Sequence, residues 1–236
     1  ILGIVLIGIF VVFLVSKMPQ SKDENNFPSI GDTIFALKNN TNYIFGVIAQ
    51  ILYVGAQIMC WTYIYQYAEA ISIDAVTAGY YQMIAFILFI IGRAIGTYLL
   101  KHTNPGKLLL YFAILSIALI QGTIFITGIV GLYALVGVSF FMSIMFPTIY
   151  GIALSDLTEE QSKIGSAGLV MAIVGGALMP KLQGLIIDTG GNGVADIKIV
   201  GVSEVNFSFT LPLICFLFIA WYGLKVFRNA SQKNNV

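Results

Sequence analysis

Gln50, Tyr53, Gln57, Trp61 and Tyr65 follow one another at intervals of three, four, four and four in an otherwise apolar stretch, the spacing that stacks residues on one face of an α-helix. Amides donate and accept hydrogen bonds at once, and flat rings cover apolar C–H surface, so the set suits a neutral polyhydroxylated ligand. A second reading stays open: the two glutamines bond across helices while the rings fill space in a bundle. Unsatisfied amides in hydrocarbon cost several kcal/mol, so the stripe has to face protein or a water-filled cavity. Val47, Ile51, Val54, Ile58 and Ile64 lie opposite, for lipid or neighbouring helices to meet; Tyr67 and Glu69, at the outer end, read as interfacial groups.

The segment "FFMSIMFPTIYG" places Ser143, Phe146, Pro147 and Tyr150 at mid-membrane depth. Pro147 frees a backbone carbonyl and kinks its helix, which opens polar backbone to a cavity or simply serves packing. Lys181 lies about sixteen residues into an apolar run, where burying an ammonium costs at least ~3 kcal/mol. It either acts in gating or coupling or snorkels outward, Asp188 being seven residues on. Arg93, near the basic end of its run, is a gate or a packing charge. Gln82 joins Tyr80 and Tyr81 in an aromatic belt, Gln121 is expected to bond a neighbouring helix, and His102 is surface. Cys60 and Cys215, in separate apolar runs, are small buried hydrophobes. Walker A, H-E-x-x-H and G-x-S-x-G patterns are absent, so no catalytic constellation, metal site or organic cofactor is expected.

The elements that must hold these residues follow from composition. Of 236 residues 58% are hydrophobic and 10% charged, too little polar surface for a soluble globule of this size. A net charge of +1 gives no field that would draw nucleic acid. Seven runs are long enough to span a bilayer: 1–16, 43–69, 76–100, 108–126, 129–154, 165–188 and 207–227. All are expected to be helices, because runs of this length exclude a β-barrel. The chain opens inside an apolar run without a basic leader, so 1–16 reads as a truncated helix and the chain as a fragment.

Lys17, Lys22, Lys38, Lys101, Lys107, Lys163, Lys225, Arg228 and Lys233 fall on one side of the spans, against Lys198 on the other. That bias puts the basic side and the C-terminus, including a tail at 228–236, in the cytoplasm. Residues 17–42, with Pro19, Pro28 and the amphipathic "DTIFALK", read as a cytoplasmic linker before a six-helix domain at 43–227. "GRAIGTYLL" from Gly92 and "PKLQGLII" from Pro180 each place a cation three residues before a glycine, a weak sign of a three-plus-three repeat. Small residues in "GSAGLVMAIVGGALMP" let helices approach closely.

"LYVGAQIMCWTYIYQYA", "IIGRAIGTYLL", "FMSIMFPTIYGIAL" and "GSAGLVMAIVGGALMPKLQGLIID" together resemble the C-terminal half of the fucose–galactose–glucose proton-symporter family of the major facilitator superfamily, over about residues 45–227. The resemblance implies an all-α, polytopic bundle: a C-terminal six-helix half preceded by the last helix of an N-terminal half missing here. It implies a twelve-helix carrier in a bacterial inner membrane that takes up a monosaccharide by alternating access, with a proton as coupling ion and the coupling acids in the missing half. Gln57, Trp61 and the Phe146 region would stand on the cavity wall. Phe146 occupies a position where the fucose-permease branch is expected to carry Tyr, which makes fucose less secure than hexoses generally, and Lys181 is a second departure. An exporter of drugs or metabolites and a non-transporting membrane sugar sensor are the rival readings.

Overall fold

The computed structural model describes Phe10, Val12, residues 30–191 and residues 193–233. The chain divides into two compact units, Ile1–Ile30 and Gly31–Val236. In the first, Phe10 and Val12 are helical; the rest of the expected first span, and residues 17–29 of the expected linker, lie outside the described residues.

The second unit opens within α1 (Ile30–Asn39), the amphipathic stretch, and then builds six helical spans long and apolar enough to cross a membrane. The first is α2 (Thr41–Thr62) continued after a break at Tyr63 by α3 (Ile64–Ala70); the second and third are α4 (Ala75–Leu100) and α5 (Pro105–Phe125). The fourth is α6 (Ile129–Met142) broken from α7 (Met145–Leu154). The fifth joins α8 (Glu159–Met171) through a 3-10 turn at Ala172–Val174 to α9 (Gly175–Ile187), and the sixth is α10 (Glu204–Ser208) with α11 (Thr210–Lys233).

Local chemistry sets the helix starts. Asn40, Asp74 and Asn104 cap α2, α4 and α5 by accepting bonds from first-turn amides, and Pro105 sits at the tolerant first position of α5. Thr158 and Gln161 form a reciprocal capping box that starts α8 at Glu159. The fifth span therefore begins six residues before the expected 165, because capping outweighs the low hydropathy of "EEQSK". The last helix likewise continues to Lys233, past the expected end at 227. One further difference lies outside the spans, where residues 198–203 pair as a two-stranded antiparallel hairpin, β1 (Lys198–Ile199) with β2 (Val202–Ser203). Its turn puts Val200 at φ 53° and Gly201 at φ 84°; a β-branched residue in the left-handed region is strained, and Val200 tolerates it at the exposed tip.

The helix packing has a twofold logic. The second span packs on the fourth (α4 on α6) as the fifth packs on the first (α9 on α2), and the third packs on the fourth (α5 on α6) as the sixth packs on the first (α11 on α2). The third and sixth meet each other, as do the first and fourth. Two three-span sets related in this way are what the weak sequence repeat anticipated. The second and fifth spans end up on the flanks, with 17% and 22% of their most apolar windows buried against 44–56% for the other four. Glycine permits the closest approaches: a Cβ on Gly175 would collide with the Ile51 carbonyl, and one on Gly92 with the Phe140 carbonyl.

At the end of the bundle away from Lys101 and Lys225 a polar knot ties three spans. Asn206 donates through Nδ2 to the Thr123 carbonyl at 2.8 Å and to the Tyr67 hydroxyl at 3.3 Å, while Tyr67 donates to the Ile126 carbonyl at 3.2 Å. Tyr67 is fully buried, so it is not the interfacial group expected of it: its hydroxyl satisfies the carbonyls left over where α5 ends. Gln121 departs from expectation in the other direction, exposed and without a hydrogen bond among those described, because its face of α5 turns away from the bundle. Cys60 and Cys215 are free and buried, and His102 is exposed, its ring against Tyr98.

Candidate functional site

The break in the fourth span organises the site. Proline has no N–H, so Pro147 cannot return the helical bond that the Ser143 carbonyl, four residues back, would accept. Arg93 on α4 takes its place, donating through Nε to Ser143 O at 3.2 Å. The neighbouring carbonyl, Met142 O, accepts from the Tyr53 hydroxyl on α2 at 2.8 Å, and Phe140 O accepts from the Ser143 hydroxyl at 2.7 Å. Three carbonyls at a helix interruption are thus satisfied by side chains, two of them from other spans, as burial in a low-dielectric interior demands.

Two aromatic groups flank this interruption. On one side the Trp61 indole stands edge-on between Phe86 and Phe89, at ring-centroid distances of 5.0 and 5.1 Å, and donates through Nε1 to the Ser139 hydroxyl at 3.2 Å. Arg93 lies 5.1 Å from the Phe89 ring centre, so α2, α4 and α6 share one continuous set of contacts. On the other side Tyr53 meets Phe146 edge-on at 6.2 Å, and Phe146 stacks on Tyr150 with centroids 6.4 Å apart. Trp61, Phe146 and Tyr150 are each half-buried, leaving ring surface for a ligand once their other contacts are made.

The stripe on the first span does not face one space. Gln50 and Tyr53 are fully enclosed by the bundle, Gln57 and Trp61 are half-buried, and Tyr65 is 42% exposed beyond the break at Tyr63. Two causes combine. Fifteen residues at 3.6 per turn leave the stripe about 60° out of register from end to end, and the N-terminal half of α2 is enclosed by α7 and α11. Tyr53 is therefore a strut under Phe146 and not an exposed wall residue. Gln50 lies in the core with neither amide atom hydrogen-bonded, so it does not form the cross-helix bond that the packing alternative required.

Lys181 is apart from this cluster. It is exposed on α9, next to Pro180, whose carbonyl accepts from the Tyr63 hydroxyl at 2.7 Å. Arg93 forms no ion pair among the described residues; its visible role is at the Ser143 carbonyl. Concavities of about 720 and 400 Å³ open at the basic end, around Ile152, Ser155 and Val226, and not beside Trp61. Ser139, Phe86 and Phe89 went unnoticed in the sequence. Ser139 lies four residues before Ser143 on the same helical face, and that spacing was the available signal.

The Major Facilitator Superfamily model matches residues 1–180. The chain belongs to the major facilitator superfamily. Its similarity to the L-fucose-proton symporter of Haemophilus influenzae is 48% identity over 228 residues, covering 96% of this chain and 51% of that protein. The L-fucose-proton symporter of Escherichia coli is 32% identical over 241 residues, covering 99% of this chain and 51% of that protein. A glucose/galactose transporter of Brucella abortus is 28% identical over 218 residues, covering 91% and 49%. The chain spans about half the length of the curated relatives it matches. Among solved structures, the crystal structure of the major facilitator superfamily transporter FucP in the outward conformation superposes with a TM-score of 0.80 at 31% identity, over 95% of this chain and 52% of that one. The six-span bundle is thus one half of a major facilitator fold.

Proposed function

We propose that the full-length protein is a sugar:proton symporter of a bacterial inner membrane, with the basic ends of the spans and the C-terminus in the cytoplasm, and that this chain is the half that supplies the aromatic and amide wall of the sugar site. Trp61, Phe146 and Tyr150 offer ring faces to the C–H surface of a monosaccharide, and Gln57 offers an amide to its hydroxyls. Tyr53 and Arg93 hold the interrupted fourth span so that Phe146 and Tyr150 keep their positions. Gln50 stays inside the bundle, and Tyr65 and Lys181 stand toward the outer approaches. No carboxylate of the described spans lies near mid-membrane depth, so the proton-binding acid belongs to the partner half of the same protein. Rocking of the two halves about the sugar then exposes the site to each side in turn.

The observation that carries this reading is the 48% identity to an L-fucose-proton symporter along 96% of the chain. Two features leave the sugar open among fucose, glucose and galactose: relatives named for each of these substrates, and a phenylalanine at position 146. The test is uptake of labelled L-fucose, D-glucose and D-galactose by the full-length protein in proteoliposomes, with and without an imposed inward proton gradient. Accumulation that needs the gradient and is suppressed by one unlabelled sugar is expected. Equal uptake without the gradient, and no competition by any of the three, rejects it.

A further inference from the structure

At the C-terminal end of α11 Lys225 and Arg228 form no salt bridge among the described residues. Among the described residues the one salt bridge joins Lys163 to Glu159. Lys225 instead lies 4.0 Å from the centre of the Phe45 ring and 5.6 Å from that of Trp221, and Arg228 is exposed three residues on. Lys225, Arg228, Asn229 and Gln232 line a concavity of about 280 Å³ with Trp221 and Leu224. Its polar groups are two cations and two amides. Asp156 lines the adjoining 720 Å³ concavity, which shares Asn229 and Gln232 with this one, and it is not among the residues lining the smaller one.

The same helix face continues as an exposed apolar strip. Ile214, Leu217 and Trp221 are 59%, 51% and 45% exposed, and with Lys225 they follow at intervals of three, four and four. From Ile214 to Lys225 the helix rises about 16 Å, close to the depth of one leaflet of a hydrocarbon core about 30 Å thick. Trp221 stands edge-on to Phe45 at 5.0 Å, at the level where indoles favour the headgroup boundary. A soluble anion would use the cations and leave the strip idle, whereas a phospholipid uses both.

The geometry points to a binding site for an anionic phospholipid on α11: the acyl chain runs along Ile214, Leu217 and Trp221, and the phosphate is held by Lys225 and Arg228, with Asn229 and Gln232 as further donors. The site is distinct from the sugar wall and does not depend on the transport reading. Holding the inner end of α11 against Phe45 at the start of α2 also ties the lipid to the first span.

The test places the full-length protein in phosphatidylcholine nanodiscs that carry a small, equal fraction of brominated phosphatidylglycerol or brominated phosphatidylcholine. Bromine quenches indole fluorescence on contact, and the Trp221→Phe variant isolates the Trp221 signal. The expected result is a preference for the anionic lipid at Trp221 of about tenfold. That preference falls to about one in Lys225→Gln/Arg228→Gln and persists in Lys101→Gln/Lys163→Gln, which removes two charges at the same end of the bundle. Millimolar inorganic phosphate leaves it unchanged. Equal quenching by the two lipids, or a preference surviving Lys225→Gln/Arg228→Gln, overturns the proposal. So does a preference lost equally in the control variant, which would make it a general surface-charge effect, or one displaced by phosphate, which would make the ligand a soluble anion.

Discussion

Replacing Tyr53 by Phe separates a strut from a sugar contact. The substitution keeps the ring and its edge-on contact with Phe146, and removes only the hydroxyl that donates to Met142 O at 2.8 Å. Both groups are fully buried, and no backbone N–H is recorded on that carbonyl across the break between α6 and α7. Leaving a buried carbonyl unpaired costs about 1–3 kcal/mol, with the lower end more apt in a bilayer, where the unfolded reference also finds partners. A loss of 1 kcal/mol corresponds to a fall in Tm of about 2–4 °C for a domain of this size. Thermal unfolding of the purified full-length protein, followed by loss of monodisperse material, measures that fall. Sugar KM in proteoliposomes, measured on the same preparation, should move less than about threefold, because the hydroxyl faces inward to the break. An unchanged Tm together with a tenfold rise in KM would refute the reasoning, since it would put the hydroxyl on the sugar.

Trp61→Ala should raise the dissociation constant for sugar about tenfold or more, as loss of an aromatic anchor does, whereas Ser139→Ala, which frees the indole N–H, should raise it only a few-fold; equilibrium binding by calorimetry measures both. Gly175→Val should destabilise the bundle by about 1–3 kcal/mol, because the new side chain meets the Ile51 carbonyl where α9 crosses α2, and thermal unfolding reads it. Asp74→Ala should lower stability at neutral pH, with a deficit that closes in acid. The Asp74 carboxyl accepts first from the Thr77 hydroxyl and then from the Thr77 and Val76 amides, which holds its pKa below the ordinary aspartate range. A depressed folded-state pKa gives stability that is complete above the unfolded-state value and is lost as pH falls through the folded one. Unfolding curves of wild type and variant should therefore converge as pH falls below the ordinary aspartate range, and a gap that stays constant into acid would contradict the assignment.

The spans were legible because hydropathy over twenty residues is a strong signal, and the small-residue run at 165–180 announced the close approach of α9 to α2. The ends were harder. Thr158 and Gln161 cap α8 through hydrogen bonds that outweigh local polarity, and the hairpin at 198–203 is too short for any alternation to show. In the site, Pro147 marked the interruption from residue type alone. The stripe from Gln50 to Tyr65 misled because spacing fixes a helical face but not what that face meets. Whether a residue lies inside the bundle depends on which helices cover each half of α2, and that is a property of the tertiary arrangement. Arg93 read as a charge near a helix end, and only the fold shows its guanidinium standing in for the amide that Pro147 lacks.

An interruption whose loose ends are tied from two directions makes a poor joint. The fourth span gives up helical continuity at Ser143, yet Tyr53 and Arg93, from two other spans, fasten the carbonyls at the end of α6, and the Tyr53 ring meets Phe146 on α7, so the bend is stiff. On the proposed function, a sugar arriving at Phe146 and Tyr150 would meet a surface already shaped for it and spend little of its affinity on ordering side chains. Flexing during the proposed transport cycle would then fall to the contacts between halves, and the recognition surface would travel through that cycle unaltered.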